Sequence, residues 1–511
     1  MVFSSVIFVF FFLPIVLVGY FILVLPAILG SRKYLWWYFG NLFLLISSLV
    51  FYFWSEKFLI WIIITSTLIN YLCGLLISGG FSWGEIALLA PDTPRNFRHK
   101  FGLVLSICSN LALLGVFKYF NFGVDSYNRL MAMLGLSALE WTDAIRITLP
   151  LGISFYTFKS MSYTIDVYRG HVRATRNLID FACYVTMFPQ LVAGPIVRYH
   201  DIADSLHSRI ITSELFASGV SRFVIGLGKK LLIANTVSVA AEQILAMPAN
   251  KLSSSIAWLG IVCYTIQIYF DFSGYSDMAI GLGRMLGFKF QENFNYPYIS
   301  RSMREFWQRW HISLSTWFRD YLYIPLGGSR KSKGRTYVNL VIVFTLCGLW
   351  HGANWTFIVW GLYNGFFLIT ERVWLGKFLS RRHPLFGHAY ALMVILCGWV
   401  IFACDTLPHA WGFLTAMFGF AGNVSSVQDI DWFLTREIRI ALIAGIFLSM
   451  PVLPALSEFQ DRWLSLLKGA AQTAAEISFC TFRIIGLCVL FVICAMFLSA
   501  GTHNPFIYFR F

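Results

Sequence analysis

Charge is scarce in this sequence. Of its 511 residues only 13% are Asp, Glu, Lys or Arg, against 58% apolar and 18% aromatic residues, a balance that excludes an ordinary soluble globular chain. Several familiar chemical signatures are missing as well. There is no CxxC pair among the ten cysteines, which all lie in apolar stretches, so neither a disulfide framework nor a zinc site is implied. No HExxH and no Walker spacing occurs, which removes the common zinc-peptidase and P-loop readings. Linkers rich in Pro, Gly or Ser, low-complexity tracts and internal repeats are absent too, so a single polytopic domain over 1–511 is expected.

What the chain has is long apolar runs. No Asp, Glu, Lys or Arg interrupts Met1–Ser31, Tyr34–Ser55, Phe58–Gly84, Tyr337–Thr370, Pro384–Cys404 or Ile484–Phe509, and shorter runs cover Phe101–Phe117, Phe181–Val197, Leu252–Phe270 and Ile440–Ser457. A span needs roughly 20 such residues to cross a core about 30 Å thick. The expectation is therefore an all-α integral membrane protein with about ten to twelve transmembrane or re-entrant helices around a central cavity. The first run has no basic residues before it and is longer than a signal peptide's apolar core, so it reads as a retained span.

The net charge of +14 sits in short loops between these runs: Arg32-Lys33, Arg95 to Lys100, Arg169 to Arg176, Lys229-Lys230, Arg330 to Arg335 and Arg381-Arg382. That distribution matches cytoplasmic loops beside anionic membrane lipid and gives no reason to expect nucleic acid. Because Arg32 and Lys33 close the first run, the N-terminus is expected outside the cytoplasm, and the next basic loop, at Arg95, agrees.

The middle third, 149–371, differs from the spans expected on either side of it (1–148 and 372–511). Polar residues crowd into Leu149–Phe158, Phe188–Arg198 and Tyr269–Ala279, and Pro and Gly interrupt them. Irregular backbone at membrane depth survives only where protein or a water-filled cavity satisfies it. The run Tyr337–Thr370 is long for one span and short for two, and its interruption falls at Gly348-Leu-Trp-His-Gly-Ala-Asn354.

Two histidines lie in aromatic settings there. His351 reads either as a structural histidine between helices or as a general base, since imidazole titrates near neutrality. His311, in Phe306–Tyr323, reads either as part of an interfacial helix anchored by Trp and Arg or as a second functional histidine. Trp307, Trp310, Ser315, Trp350, Asn354 and Trp355 flank the two. Asp271 and Asp277 are costly at membrane depth, roughly 2.5–3.5 kcal/mol each, and suit either a proton path or ion pairs that shape a bend. The loop with Arg330, Lys331, Lys333 and Arg335 suits either lipid headgroups or the phosphates of a nucleotide-bearing substrate. No metal site is expected.

Taken together, Met1-Val-Phe-Ser-Ser5, Phe188-Pro-Gln-Leu-Val-Ala-Gly-Pro195, Trp307-Gln-Arg-Trp-His311, Trp350-His-Gly-Ala-Asn-Trp355 and Asn504-Pro-Phe-Ile-Tyr-Phe509 resemble the membrane-bound O-acyltransferases. Within that family the likeness is to the bacterial subgroup of alginate O-acetylation and D-alanyl-transfer proteins, and it extends over essentially the whole chain. The resemblance implies His351 as catalytic and His311 beside the same tunnel. It further implies acetyl-CoA as acyl donor with no permanently bound cofactor, a polysaccharide acceptor reached through extracytoplasmic acetyltransferase partners, and a bacterial inner-membrane location. D-Alanyl transfer to teichoic acid and acetylation of peptidoglycan or cellulose remain open within it. A proton-coupled transporter or flippase using Asp271 and Asp277 is the alternative of a different class.

Overall fold

In a computed structural model the structure describes residues 2–30, 33–80, 86, 88–90, 93–141, 145–420 and 429–501. Met1, the Arg32 part of the first basic loop and the closing 504–509 motif lie outside them. Among the described residues all regular structure is helical. In chain order the helices of the first half are α1 (Leu13–Ile28), α2 (Lys33–Glu56), α3 (Ile60–Ser78), α4 (Phe97–Leu114), α5 (Phe120–Met133), α6 (Ile153–Arg169), α7 (Leu178–Thr186), α8 (Tyr199–His207), α9 (Ser213–Gly228) and α10 (Asn235–Leu245). The second half holds α11 (Ser254–Met285), α12 (Met303–Arg309), α13 (Ile312–Phe318), α14 (Lys333–His351), α15 (Trp355–Thr370) and α16 (Gly376–Ser380). It closes with α17 (Pro384–Ala403), α18 (Leu407–Met417), α19 (Ile430–Phe433), α20 (Arg436–Leu448), α21 (Val452–Leu466) and α22 (Ala470–Ser499).

Among the described residues seven helical stretches are long and apolar enough to cross a membrane, or up to eight if the bent pair α20 and α21 counts as one span. The middle of the chain adds helices too short or too polar to count as full spans, so the expected all-helical membrane architecture is present. One stretch, Tyr34–Ser78, is divided into α2 and α3 at Lys57, whose φ is 46°. The interruption expected after Gly348 is present: α14 stops at His351 and α15 starts at Trp355, and the two pack as a hairpin.

The helices share two ends. Val2, Ser5, Glu56, Lys118, Leu149, Ser154 and His351 line one cavity, so the starts of α1 and α6 and the ends of α2 and α14 lie together. Arg169 ends α6 and Lys333 begins α14 at the other ends of those two helices. At the heart of the bundle is α11, nearly all of it buried and packed on α9, α10, α17 and α18. Backbones touch where glycines face one another: a Cβ on Gly226 would lie 2.6 Å from the Gly274 carbonyl, the close approach small residues permit between membrane helices.

Ion pairs lock the same interface. The π-helical turn Lys229–Ala234 directs Lys230 at Asp271 (2.7 Å, each side chain 2% exposed) and Lys229 at Asp277 (2.7 Å), while Arg222 of α9 pairs with Asp277 and Glu292. The irregular segment 188–198 is satisfied by side chains from elsewhere. Lys159 Nζ donates to the Val185 carbonyl (2.8 Å), and the Ser48 and Ser313 hydroxyls accept from the Phe188 and Ile196 amides (3.0 and 2.9 Å).

At the basic end, the Asp166 carboxylate accepts from His200 Nδ1 (2.7 Å) and the Tyr321 hydroxyl (2.8 Å), joining α6, α8 and the segment after α13. His200, outside the candidate spans, also meets Asp201 at 3.1 Å. Bonds to Asp166 and then Asp201 push its pKa up to about 9 from the ordinary 6.5. A raised pKa means the stabilisation is complete below about 6.5 and lost as pH rises through about 9. Thermal unfolding in detergent is expected to show an alkaline loss of stability that is flattened in H200A.

Candidate active site

α14 carries His351 at its last position. There the imidazole is 4% exposed and enclosed by Trp350, Trp360 and Phe402, with ring centroids 5.0, 5.1 and 5.4 Å away. Neither ring nitrogen has a protein partner. A buried polar group left unpaired costs on the order of 1–3 kcal/mol, so both nitrogens are available to a ligand at the expense of stability. Gly352 is needed beside it, since the Phe357 ring fills the place a Cβ would take.

His311 approaches from the other side of Trp350, its centroid 5.9 Å from that ring. It is fully buried and sits in the left-handed region with φ 43°, between α12 and α13, a conformation that is costly for a residue with a Cβ and that clusters at functional sites. Asn293 holds it there. The Asn293 carbonyl accepts from the Ile312 amide (2.9 Å), and its side-chain oxygen accepts from the Ser313 amide (3.2 Å), the Ser313 hydroxyl (2.9 Å) and His311 Nδ1 (3.1 Å). An amide oxygen only accepts, so Nδ1 carries the proton and Nε2, which has no partner, presents a lone pair.

Among the described residues three cavities lie in this part of the molecule, one of them lined by His351. One of about 600 Å³ is lined by Ser5, Glu56, Lys118, Ser154, Trp350 and His351. A second, about 690 Å³, lies across Lys118 and Leu149 from it and is walled by Glu242, Gln267, Asn354, Thr356, Phe402 and Asp405. The third, a narrow slot of about 190 Å³, runs along α14 towards the basic end, from Trp307, Ser315 and Cys347 to Arg304, Arg319 and Tyr323. Trp350 and His351 line the first cavity but not the slot, and His311 lines none of the three.

The flanking residues named from the sequence divide accordingly. Trp307, bonded through Nε1 to Asn364 (3.2 Å), and Ser315, whose buried hydroxyl is unpartnered, line the slot. Trp310 packs against Phe294 and Trp399 behind His311. Asn354 caps α15 and donates to the Asp405 carbonyl (2.8 Å) at the second cavity. Trp355 is 47% exposed and lies on Phe122, outside all three linings. Asp271 and Asp277 also line none of them, because their charges are spent on Lys230, Lys229 and Arg222. Arg330, Lys331, Lys333 and Arg335 are exposed at the far end of α14, whose 19 residues put about 28 Å between them and His351. Among the described residues no cluster of His, Cys, Asp or Glu suits a metal ion.

Sequence reasoning missed Lys118. It stands as the charge ending the run Phe101–Phe117 and gives no local sign of its partners, which lie more than 230 residues away at the end of α14.

Residues 49–407 match the family model of MBOAT, the membrane-bound O-acyltransferase family. The chain is 42% identical over 525 residues to "Probable alginate O-acetylase AlgI" of Pseudomonas putida and 40% identical over 529 residues to the protein of that name from Azotobacter vinelandii, covering all of both chains in each case. It is 32% identical to "Peptidoglycan O-acetyltransferase" of Helicobacter pylori, covering 100% of this chain and 98% of the other.

Asn293→Ala leaves His311 Nδ1 and the Ser313 hydroxyl without their acceptor. The expected loss is about 1–3 kcal/mol, read as a lowered midpoint of thermal unfolding in detergent with the helical signal of the folded state retained.

Proposed function

This chain belongs to the membrane-bound O-acyltransferase family and is an O-acyltransferase, and on that premise we propose that it moves an acetyl group from cytoplasmic acetyl-CoA across a bacterial inner membrane for O-acetylation of an extracytoplasmic polysaccharide such as alginate. The observation that carries this reading is a buried His351 with unpartnered ring nitrogens on the wall of one cavity, near a second buried histidine, His311, with an unpartnered Nε2, and at the end of the helix that also lines a slot running towards the basic end. The basic loops support a cytoplasmic location for that end, by the usual charge asymmetry. The names of the full-length relatives supply acetyl transfer and, in two of them, alginate.

In the proposed chemistry the thioester enters through the slot beside Trp307, Ser315 and Cys347, and the acceptor hydroxyl enters from the cavity lined by His351. A neutral His351 takes the hydroxyl proton as the oxygen attacks the acetyl carbonyl. The carbon–sulfur bond then breaks, and the proton passes to the departing thiolate. His311, its Nδ1 held by Asn293, lies on the donor side of Trp350 and orients the thioester. Of the residues lining the two cavities at the His351 end, Lys118 is the only Lys or Arg, whereas Glu56, Glu242 and Asp405 are acidic. Walls of that sign disfavour a polyuronate, which supports a neutral hydroxyl on an extracytoplasmic acetyltransferase partner as the immediate acceptor. Because Asp271 and Asp277 are engaged in ion pairs, the transporter reading lacks the proton path it required.

His351→Ala is expected to lower transfer of label from acetyl-CoA by purified protein by about 10²- to 10⁴-fold and to abolish exopolysaccharide O-acetylation in cells at an unchanged membrane level. Normal acetylation in that variant rejects the assignment. For the donor, joint neutralisation of Arg330, Lys331, Lys333 and Arg335 is expected to raise the acetyl-CoA concentration needed for half-maximal rate if the loop meets its phosphates. An unchanged dependence assigns the loop to lipid headgroups.

A further inference from the structure

A helix leaves its last four carbonyls without intrahelical donors, and α14 ends inside the protein with His351 on its final turn. Each of the four is nevertheless satisfied. The Gly348 carbonyl accepts from the Gly352 amide (3.3 Å), Leu349 from the Tyr119 hydroxyl (2.7 Å), Trp350 from Lys118 Nζ (2.5 Å) and His351 from the same ammonium (3.4 Å). The remaining proton of Lys118 goes to the Ser154 hydroxyl (3.1 Å) at the start of α6. Both donors come from one π-helical turn, Gly115–Tyr119, inserted between α4 and α5. An insertion of this kind is frequent at functional sites, and here it turns two consecutive side chains onto α14.

Lys118 is 8% exposed and lines both cavities at the His351 end. It forms no ion pair among the described residues; its charge rests on carbonyls at the negative pole of a helix, where a cation is favoured. A buried ammonium held by helix carbonyls instead of a carboxylate keeps a positive field beside the imidazole without bringing in a second base.

We propose that Lys118 and Tyr119 are positioning residues for His351, fixing the last turn of α14 so that the imidazole faces the cavity it lines together with Lys118 and Ser154. The inference rests on His351 being the base of the transfer reaction. Neither residue touches the reacting atoms; both act through the backbone of Leu349 to His351.

The test uses full-length protein purified in detergent and labelled acetyl-CoA. Lys118→Met is expected to lower kcat by about 10- to 100-fold, the scale of a misplacement near 1 Å, with the KM for acetyl-CoA unchanged per mole of folded protein. Lys118→Arg, which keeps a cation over the carbonyls, is expected to recover most of the rate. A wild-type kcat in Lys118→Met, or loss in Lys118→Arg equal to that in Lys118→Met, overturns the proposal. Should Lys118→Met fail to accumulate, Tyr119→Phe decides, since it deletes one oxygen: a several-fold lower kcat at unchanged KM supports the proposal and an unaltered kcat overturns it. An active His351→Ala removes the premise, whereas an inactive His351→Ala beside a fully active Lys118→Met removes only the positioning role.

Discussion

Backbone that stops being helical inside an apolar bundle exposes amides and carbonyls that water cannot reach, and the protein answers each such break with a side chain from a distant part of the sequence. Lys118 and Tyr119 close the end of α14, Lys159 closes the end of α7, and the Glu371 carboxylate accepts from the first amides of α12. Ser48 and Ser313 serve the segment 188–198. The breaks are where the chemistry is expected, because a continuous helix would leave no room for a substrate. The polar side chains that repair them hold His311 and His351 in register as a by-product.

Two kinds of charge at depth follow from this. Asp271, Asp277, Lys229, Lys230 and Arg222 pair with one another between α9, α10 and α11, away from the cavities, and pin the helices that surround the site. Lys118 and Lys159 have no carboxylate and sit on carbonyls. Removing one partner of the first kind strands a buried charge; removing a cation of the second kind frees the end of a helix. The same residue type thus supports the fold in one place and the geometry of the site in the other.

The all-helical membrane architecture was legible from the apolar runs, and the two histidines from their aromatic settings and the motifs around them. A run without charges does not by itself distinguish a full crossing helix from a shorter one such as α15. Asp271 and Asp277 showed their cost but not their destination, since the basic partners lie some 40 to 55 residues earlier on α9 and the turn after it. Trp355 belongs to a motif whose neighbours His351 and Asn354 line cavities, yet helical geometry turns its ring outward onto Phe122. Lys118 was hidden because its meaning depends on a contact between the π-helical turn after α4 and the end of α14 that no local pattern encodes.

The slot along α14 and the cavity beside His351 have no lining residue in common. On the proposed reaction, an acyl group handed from one to the other would cross the permeability barrier as a covalent cargo, with no open channel required.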